Sequence, residues 1–435
     1  MMYSYRYKDG YLIYDKYKNN IKYSKVENND LEETSSGDIC SREPVLYDEF
    51  KREKVNKVSL TYFSTPFCNL RCNYCYEHKT KNQYNMEVMS AQQYYDTFNI
   101  IKNAFPNAKT FKLNFFGGEP FLAKKEIFAF IEMINEDYKV KNEKFPQLVT
   151  ITNGTLLTEE DMEFIHRYFA SITFSVDGTK NIHDFNRIYN SGQGTYEDVI
   201  SNVEKFNKIN EDKKIFTACE VTMTDAYFKG NDNNIIKPIW DLLKKLKFQD
   251  VDFVPVEDED SKIIIKEENL ELIAREIVEL WYNDILNSSS PFQMTVLMDF
   301  LSLIVGKYTK NNNLCGAGYN NFAVDSNLNI YNCQTAVFTE KKAIGKIQDG
   351  EFEIDRNFAE GYITKDQHPL CKRCVCEKGC SGFCKIVMKD VMDELPVSCL
   401  FNQKLFKYSL IKVVDIMNSS KKANFINGVK RMFNS

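Results

Sequence analysis

The chain has 435 residues, of which 43% are hydrophobic and 27% charged, a balance that describes a globular protein with length for about three domains. Lys and Arg total 56 against 61 Asp and Glu, and the formal net charge of −5 argues against a nucleic-acid partner and an anionic membrane surface, which both need a basic surplus. Thirteen cysteines against four histidines make sulfur ligands abundant and leave little for chemistry that needs many imidazoles.

The chain opens Met1-Met2-Tyr3-Ser4-Tyr5-Arg6 without the apolar core of a secretory signal, and no later stretch approaches the ~20 apolar residues of a membrane span. A cytoplasmic location with no membrane partner is expected. In that reducing compartment the cysteines read as metal ligands, catalytic groups or buried thiols rather than disulfides. From Tyr3 to Val26 aromatic and polar residues alternate around turns at Asp9-Gly10 and Asn19-Asn20, as in short hairpins, so residues 1–50 read as a small β-rich appendage with a polar linker over 27–38. Short β-branched and aromatic runs follow at 58–65, 111–116, 148–153, 171–176, 217–224 and 251–256. Between them, 91–104, 125–138, 159–169, 196–209 and 235–246 carry helical periodicity. This alternation predicts an α/β fold with a parallel sheet. Six repeats over residues 51–260 fall two short of a closed eight-fold barrel and predict a partial (β/α)6 TIM-like barrel, with a doubly wound sheet as the alternative. In either, ligands bind at the carboxyl ends of the strands. Residues 261–310 read as a helical linker built on an amphipathic helix at 267–286, residues 311–405 as a cysteine-rich domain, and 406–435 as the end of a last helix, 404–417, followed by a polar tail.

Directly after the first strand stands Cys68-Asn69-Leu70-Arg71-Cys72-Asn73-Tyr74-Cys75, three thiols at spacings of four and three. Such a set wraps three corners of an iron–sulfur cube and leaves one iron open; a zinc site completed by a later ligand and a set of core thiols are the competing readings. After the second strand comes Gly117-Gly118-Glu119-Pro120, after the third Thr152-Asn153-Gly154, and after the fourth Ser175-Val176-Asp177-Gly178, followed by His183-Asp184 and Arg187. Polar residues thus follow four successive strands, where a cofactor pocket in such a sheet lies.

These motifs resemble the radical S-adenosylmethionine (SAM) enzymes, whose signature is Cys-x3-Cys-x2-Cys with an aromatic before the last cysteine, here Tyr74. The resemblance covers most of the chain. It implies that Cys68, Cys72 and Cys75 hold a [4Fe–4S] cluster whose free iron chelates the amino and carboxylate groups of SAM, and that Tyr74 lines the adenine. Gly117, Gly118, Glu119 and Pro120 match the motif that holds the methionine amino group, and Asn153, Ser175 and Arg187 belong to the remaining cofactor-binding motifs. The implied chemistry is reductive cleavage of SAM to a 5′-deoxyadenosyl radical that takes a hydrogen atom from the substrate, with an external one-electron reductant of the flavodoxin or ferredoxin type. No residue stands out as the catalytic base.

The later cysteines, Cys315, Cys333, Cys371-x2-Cys374-x5-Cys380-x3-Cys384 and Cys399, resemble the SPASM extension of radical SAM enzymes that act on peptides and proteins. That resemblance implies two auxiliary [4Fe–4S] clusters, the first on Cys315, Cys333 and Cys384, the second on Cys371, Cys374, Cys380 and Cys399. The first lacks a fourth cysteine, and Cys376 is a candidate for it, as are an open iron and a non-cysteine group. A zinc-ribbon-like module is the competing reading of 371–399. The family usually has glycine where this chain has Leu328, so Asn327 or Asn329 is expected to make the turn. In the related anaerobic sulfatase maturases an aspartate after the second SPASM cysteine serves as base; here Gln334 stands there, and an amide does not take that proton. The resemblance therefore favours a maturase of a ribosomally made peptide, forming thioether or carbon–carbon crosslinks, over formylglycine formation in a sulfatase. The N-terminal hairpins then read as a leader-peptide recognition edge or as a cap on the barrel. A non-catalytic iron–sulfur electron carrier or zinc-organised scaffold is the alternative of another class. Cys219 and Cys40 read as buried or incidental thiols, His78 and His368 as surface or cap residues, Glu257–Asp260 as a solvated loop at the pocket edge, and Glu220 and Thr222 as candidates to face the barrel interior.

Overall fold

The structure is a computed structural model that describes residues 1–25, 55–75, 86–141, 143–228, 234–257, 263–306, 316–338, 343–354, 369–380 and 395–434. Cys40, His78, Asp258, Glu259, Asp260, Cys315, His368 and Cys384 lie outside them.

The N-terminal strands β1 (Met2–Tyr7), β2 (Gly10–Asp15) and β3 (Asn20–Ser24) form an antiparallel sheet in the order β1-β2-β3. Then β4 (Lys57–Thr65), β5 (Thr110–Gly117), β6 (Gln147–Thr152), β7 (Phe169–Ser175), β8 (Phe216–Met223) and β9 (Asp250–Pro255) pair in parallel with sequential neighbours. Sequential order is the winding of a barrel; a doubly wound sheet reverses at its first strand. Between the strands run α1 (Ala91–Ala104), α2 (Lys124–Lys141), α3 (Glu159–Tyr168), α4 (Lys180–Asn186), α5 (Tyr196–Ile209) and α6 (Lys237–Lys245). Local chemistry starts two of these helices: Ser90 with Gln93 and Thr158 with Asp161 form capping boxes that satisfy otherwise orphaned N–H groups.

Along β5 and β8 burial alternates strictly, so each strand has one core face and one half-exposed face. The core face packs on helices through aromatic rings. Tyr62 meets Tyr94 of α1 with centroids 4.9 Å apart, Tyr94 meets Phe130 of α2 at 5.4 Å, and Phe174 meets Phe206 of α5 at 5.7 Å. The other face lines the barrel interior, and by strand register it carries Asn114, Ser175, Glu220, Thr222 and Asp252.

The C-terminal third continues the same sheet. β10 (Asn321–Val324) pairs in parallel with β4, and β11 (Asn329–Tyr331), β12 (Gly345–Gln348) and β13 (Glu351–Ile354) extend it antiparallel. Between β10 and β11 it is Leu328 itself, not Asn327 or Asn329, that takes the left-handed conformation, with φ at 61°. The buried Asp325 holds that turn. Its carboxylate accepts the Asn327 and Asn329 N–H groups, both at 2.9 Å, and the Tyr331 hydroxyl at 3.0 Å.

The stretch read as a helical linker is core: α7 (Glu267–Asn287) buries Trp281 and Tyr282, and α8 (Thr295–Ile304) buries Phe300 and Leu301. A short helix, α9 (Gln334–Phe338), follows Cys333, and a single turn, α10 (Pro369–Lys372), carries Cys371. The last long helix, α11 (Val397–Met417), begins before Cys399 and runs across the expected boundary at 405/406. The expected polar tail is a further helix, α12 (Lys422–Asn434), which buries Phe425 and Met432 in a sequence otherwise rich in polar residues. Among the described residues no helix is long and apolar enough to cross a membrane.

Candidate active site at the strand ends

The loop Cys68–Cys75 leaves β4 and lies against residues 185–189. Arg71 N–H donates to the Ile188 carbonyl at 2.7 Å, Asn73 N–H to the Asn186 carbonyl at 2.9 Å, and the Asn73 amide to the Phe185 carbonyl. The three thiols on this short loop are half-buried. Cys68 Sγ accepts the Leu70 N–H at 3.4 Å, the kind of bond that stabilises a thiolate or a cluster-bound sulfur. Three partly exposed thiols with an N–H donor fit a [4Fe–4S] cluster with one open iron.

Gly117 and Gly118 are needed for the approach of this loop. A side chain at Gly117, where φ is +148°, would meet the Thr65 carbonyl at 2.4 Å, and one at Gly118 would meet the Phe67 carbonyl at 2.3 Å. In their place Gly118 N–H donates to Thr65 O and Glu119 N–H to Phe67 O, both at 2.9 Å. The Glu119 carboxylate turns inward. It accepts the Thr152 hydroxyl at 2.7 Å, the Asn153 N–H at 2.8 Å and the Phe121 N–H at 3.1 Å, and burial pushes its carboxyl up to about 7 against those three bonds. Glu119 thus ties the β5 loop to the β6 loop. Asn153 carries the tie on to the cysteines: its amide donates to Asn69 Oδ1 at 3.0 Å and reaches Cys68 Sγ at 3.9 Å.

Asp177 is the hub of the other side. Its carboxylate pairs with Arg187 Nε at 3.0 Å and accepts the Tyr74 hydroxyl at 2.8 Å and the Thr222 N–H at 3.1 Å, while its carbonyl takes the Tyr227 hydroxyl at 2.7 Å. The Arg187 guanidinium lies 5.4 Å from the centre of the Tyr74 ring. Tyr74 is therefore fixed by Asp177 and Arg187. His183 is fully buried: Nδ1 accepts the Asp177 N–H at 3.3 Å, and Nε2 faces the Thr195 hydroxyl at 3.0 Å, which itself donates to the Arg187 carbonyl at 3.1 Å. Burial, with Arg187 nearby, pushes its imidazole down to about 3, so it is neutral. Ser175 is buried beside Glu220 in register, on the interior face. Burial pushes the carboxyls of Glu220 and Asp252 up, and that of Asp250 to about 7 with help from Asp252.

The later cysteines fall in two places. Cys333 is buried against Phe63 of β4 and Tyr331. Cys371, Cys374, Cys376, Cys380 and Cys399 gather at the start of α11: the Cys399 thiol is pushed up by burial and then by Cys380, Cys374 and Cys371. Cys374 Sγ accepts the Cys376 N–H at 3.4 Å and the Gln403 amide at 3.6 Å, and the Cys376 hydrogen bond draws its thiol down to about 7. This donor set suits a second cluster. Cys376 is buried and donates to the Asn402 carbonyl at 3.5 Å, which puts it with this second set and apart from Cys333. Among the described residues no three Cys, His, Asp or Glu side chains converge as the ligands of a single metal ion do. Cys219 is a buried core thiol. Glu257, expected in a solvated loop, caps α11, accepting the Val397 and Ser398 N–H groups at 3.2 and 2.5 Å. Sequence reasoning missed the supporting contacts of Asn69, Thr155, Thr195 and Asn202: the Asn69 amide donates to the Thr155 hydroxyl at 2.8 Å and the Asn202 amide to the Gly154 carbonyl at 2.9 Å. Asn69 lies inside the cysteine motif and Thr155 directly follows Thr152-Asn153-Gly154; the others are ordinary helix-region residues whose role depends on the fold.

Residues 62–228 match the Radical SAM superfamily. Over 368 residues the chain is 26% identical to a cysteine-type anaerobic sulfatase-maturating enzyme of Clostridium perfringens, covering 81% of this chain and 96% of that one. A cysteine-type enzyme of the same description from Clostridium novyi is 26% identical over 72% of this chain and 84% of its own length. The solved structure of native anSMEcpe with bound AdoMet and the Cp18Cys peptide superposes with a TM-score of 0.65 at 23% identity, covering 83% of this chain and 99% of that chain. With the cysteine loop and the strand-end polar set in place, the chain carries a radical SAM domain at residues 62–228 and is an enzyme homologous to the anaerobic sulfatase maturases.

Proposed function

We propose that this enzyme modifies a peptide substrate after translation, joining side chains by thioether or carbon–carbon bonds. When bound, a reduced [4Fe–4S] cluster on Cys68, Cys72 and Cys75 supplies the electron that cleaves SAM into methionine and a hydrogen-abstracting radical. This chain's residues bind and orient. Arg187, held by Asp177, offers a fixed cation to a carboxylate. The Gly117–Pro120 turn offers backbone acceptors to an ammonium, and the interior face with Ser175, Glu220 and Asp252 receives the substrate. The set around Cys374 is read as one auxiliary cluster, and Cys333 as a ligand of another, joined on the resemblance alone by Cys315 and Cys384 and still short of a fourth cysteine. A one-electron reductant of the flavodoxin or ferredoxin type is the expected donor.

The observation that favours crosslinking is Gln334, at the first turn of α9 directly after Cys333, where a base is needed for formylglycine formation and an amide stands instead. Sulfatase maturation is the second reading, favoured by the alignment over 96% of the C. perfringens enzyme. Anaerobically reconstituted protein is expected to release 5′-deoxyadenosine from SAM on reduction; none, at full cluster content, sinks both readings. Mass spectrometry of a co-expressed peptide separates them. A crosslink removes two hydrogens and keeps sulfur, whereas formylglycine formation at a cysteine exchanges the sulfur for oxygen.

A further inference from the structure

Among the described residues Lys16 is the only buried lysine, 1% exposed. It follows β2 in the N-terminal sheet, and its ammonium donates to the Lys372 carbonyl at 2.6 Å and pairs with Glu377. Both partners lie in the short segment that carries Cys371, Cys374 and Cys376. The same sheet grips this segment elsewhere: the Tyr3 hydroxyl donates to the Arg373 carbonyl at 2.6 Å, and Lys378 donates to the Tyr17 carbonyl at 3.3 Å. Tyr7 to Asp415 at 2.5 Å, Asn19 to the Leu303 carbonyl at 2.8 Å and Tyr14 on Phe406 at 5.3 Å anchor the sheet on the helices beneath.

Docking alone does not explain Lys16. Taking an ammonium out of water costs several kcal/mol unless matched by nearby negative charge, and a lysine that only joined two surfaces would stay at the rim, as Lys378 does. Glu377 retains 22% side-chain exposure and supplies one carboxylate. Thiolates gathered on a cluster are the other source of negative charge on that side. A cation held in low dielectric favours the more negative, reduced state of such a cluster and is little screened by salt.

We propose that Lys16 is a positioning residue for the second auxiliary cluster: the N-terminal sheet delivers its ammonium to the Cys371–Glu377 segment, raises the cluster's reduction potential and closes it to water on that face. This rests on reading Cys371, Cys374, Cys380 and Cys399 as cluster ligands. Whatever moves the N-terminal sheet then also moves the cluster's potential.

A redox titration of the reconstituted full-length protein, followed by electron paramagnetic resonance, tests this without substrate, the second cluster's signal being identified by its loss in Cys399→Ser. Lys16→Met is expected to make that midpoint more negative and Glu377→Gln to make it more positive, with Lys16→Arg closer to wild type than Lys16→Met. A lower melting temperature in Lys16→Met with an unchanged midpoint means a structural role only and overturns the proposal. Should Lys16→Met fail to load, an unchanged midpoint in Glu377→Gln overturns it equally. Wild-type protein with no signal that depends on Cys399 overturns the cluster reading itself.

Discussion

Cys68, Cys72 and Cys75 sit on one short loop that backbone hydrogen bonds and Asn153 pin to neighbouring strand ends, whereas Cys371, Cys374, Cys380 and Cys399 come from a turn and from the first turn of α11. The first site is organised from within a single sheet, by hydrogen bonds among the protein's own groups. The second is organised from outside, by the N-terminal sheet and by Glu257 at the head of α11, and its thiols are divided between the short 371–380 segment and that helix. A cluster bound there would add to the folding energy, because its ligands would join the short 371–380 segment to the head of α11. The strand-end site is thus expected to tolerate loss of its metal, and the second site is not.

The largest effect that sharpens this contrast is on turnover. Cys72→Ala is expected to abolish 5′-deoxyadenosine release while leaving the melting temperature near wild type, and Cys399→Ala to lower the melting temperature and the soluble yield; calorimetry beside a SAM-cleavage assay reads both. Equal destabilisation by the two would erase the distinction. Next in size, Arg187→Met leaves the buried Asp177 carboxylate unpaired and is expected to cost about 3–5 kcal/mol in urea unfolding, with Tyr74 freed at the same time. Glu119→Gln presents an amide N–H to the Asn153 N–H in place of an acceptor and is expected to cost about 1–3 kcal/mol.

His183 gives a pH signature to the strand-end site alone. Its folded value of about 3 lies below the ordinary 6.5, so the unfolded chain takes up the proton first as the medium is acidified. The stability it contributes is full above pH 6.5 and is lost as the pH falls toward 3, by up to ~1.4 kcal/mol per unit. His183→Gln is expected to flatten that slope in unfolding measured across the same range; an unaltered slope shows that another group carries it. The smallest effect belongs to Leu328→Gly. It relieves about 1–2 kcal/mol of left-handed strain and gives up part of a half-buried side chain, so the net shift in melting temperature is slight.

The barrel was legible because its signals are local. Ala91–Ala104 and Tyr196–Ile209 have the same bounds in sequence and structure, set by apolar periodicity and, for the first, by the capping box at Ser90. The cysteine loop and the four strand-end motifs are contiguous residues, so their order along the chain already gave their order around the sheet. Glu257 in an acidic run read as solvated, since nothing local says that a helix end will cover it, and Lys16 in a hairpin turn carries no local sign that a cysteine segment will bury it. At Leu328 a general rule about turns pointed to the neighbouring asparagines, but Asp325 bonds their backbone and hands the strained position to the leucine. α12 was missed because its burial comes from α7, a partner far off in the chain.

The pairing of β10 with β4 joins Ser59 to Asn321. On a ribosome adding about 5–20 residues per second, tens of seconds separate the emergence of the two. Through that interval the first barrel strand presents an unpaired, apolar edge to the cell, the exposure that invites edge-to-edge association between nascent chains. Expression slowed by temperature, or with chaperones that shield such edges, is therefore expected to raise the soluble fraction more than any change at the thiols. A chain cut before residue 321 is expected to aggregate even though the radical SAM domain is whole.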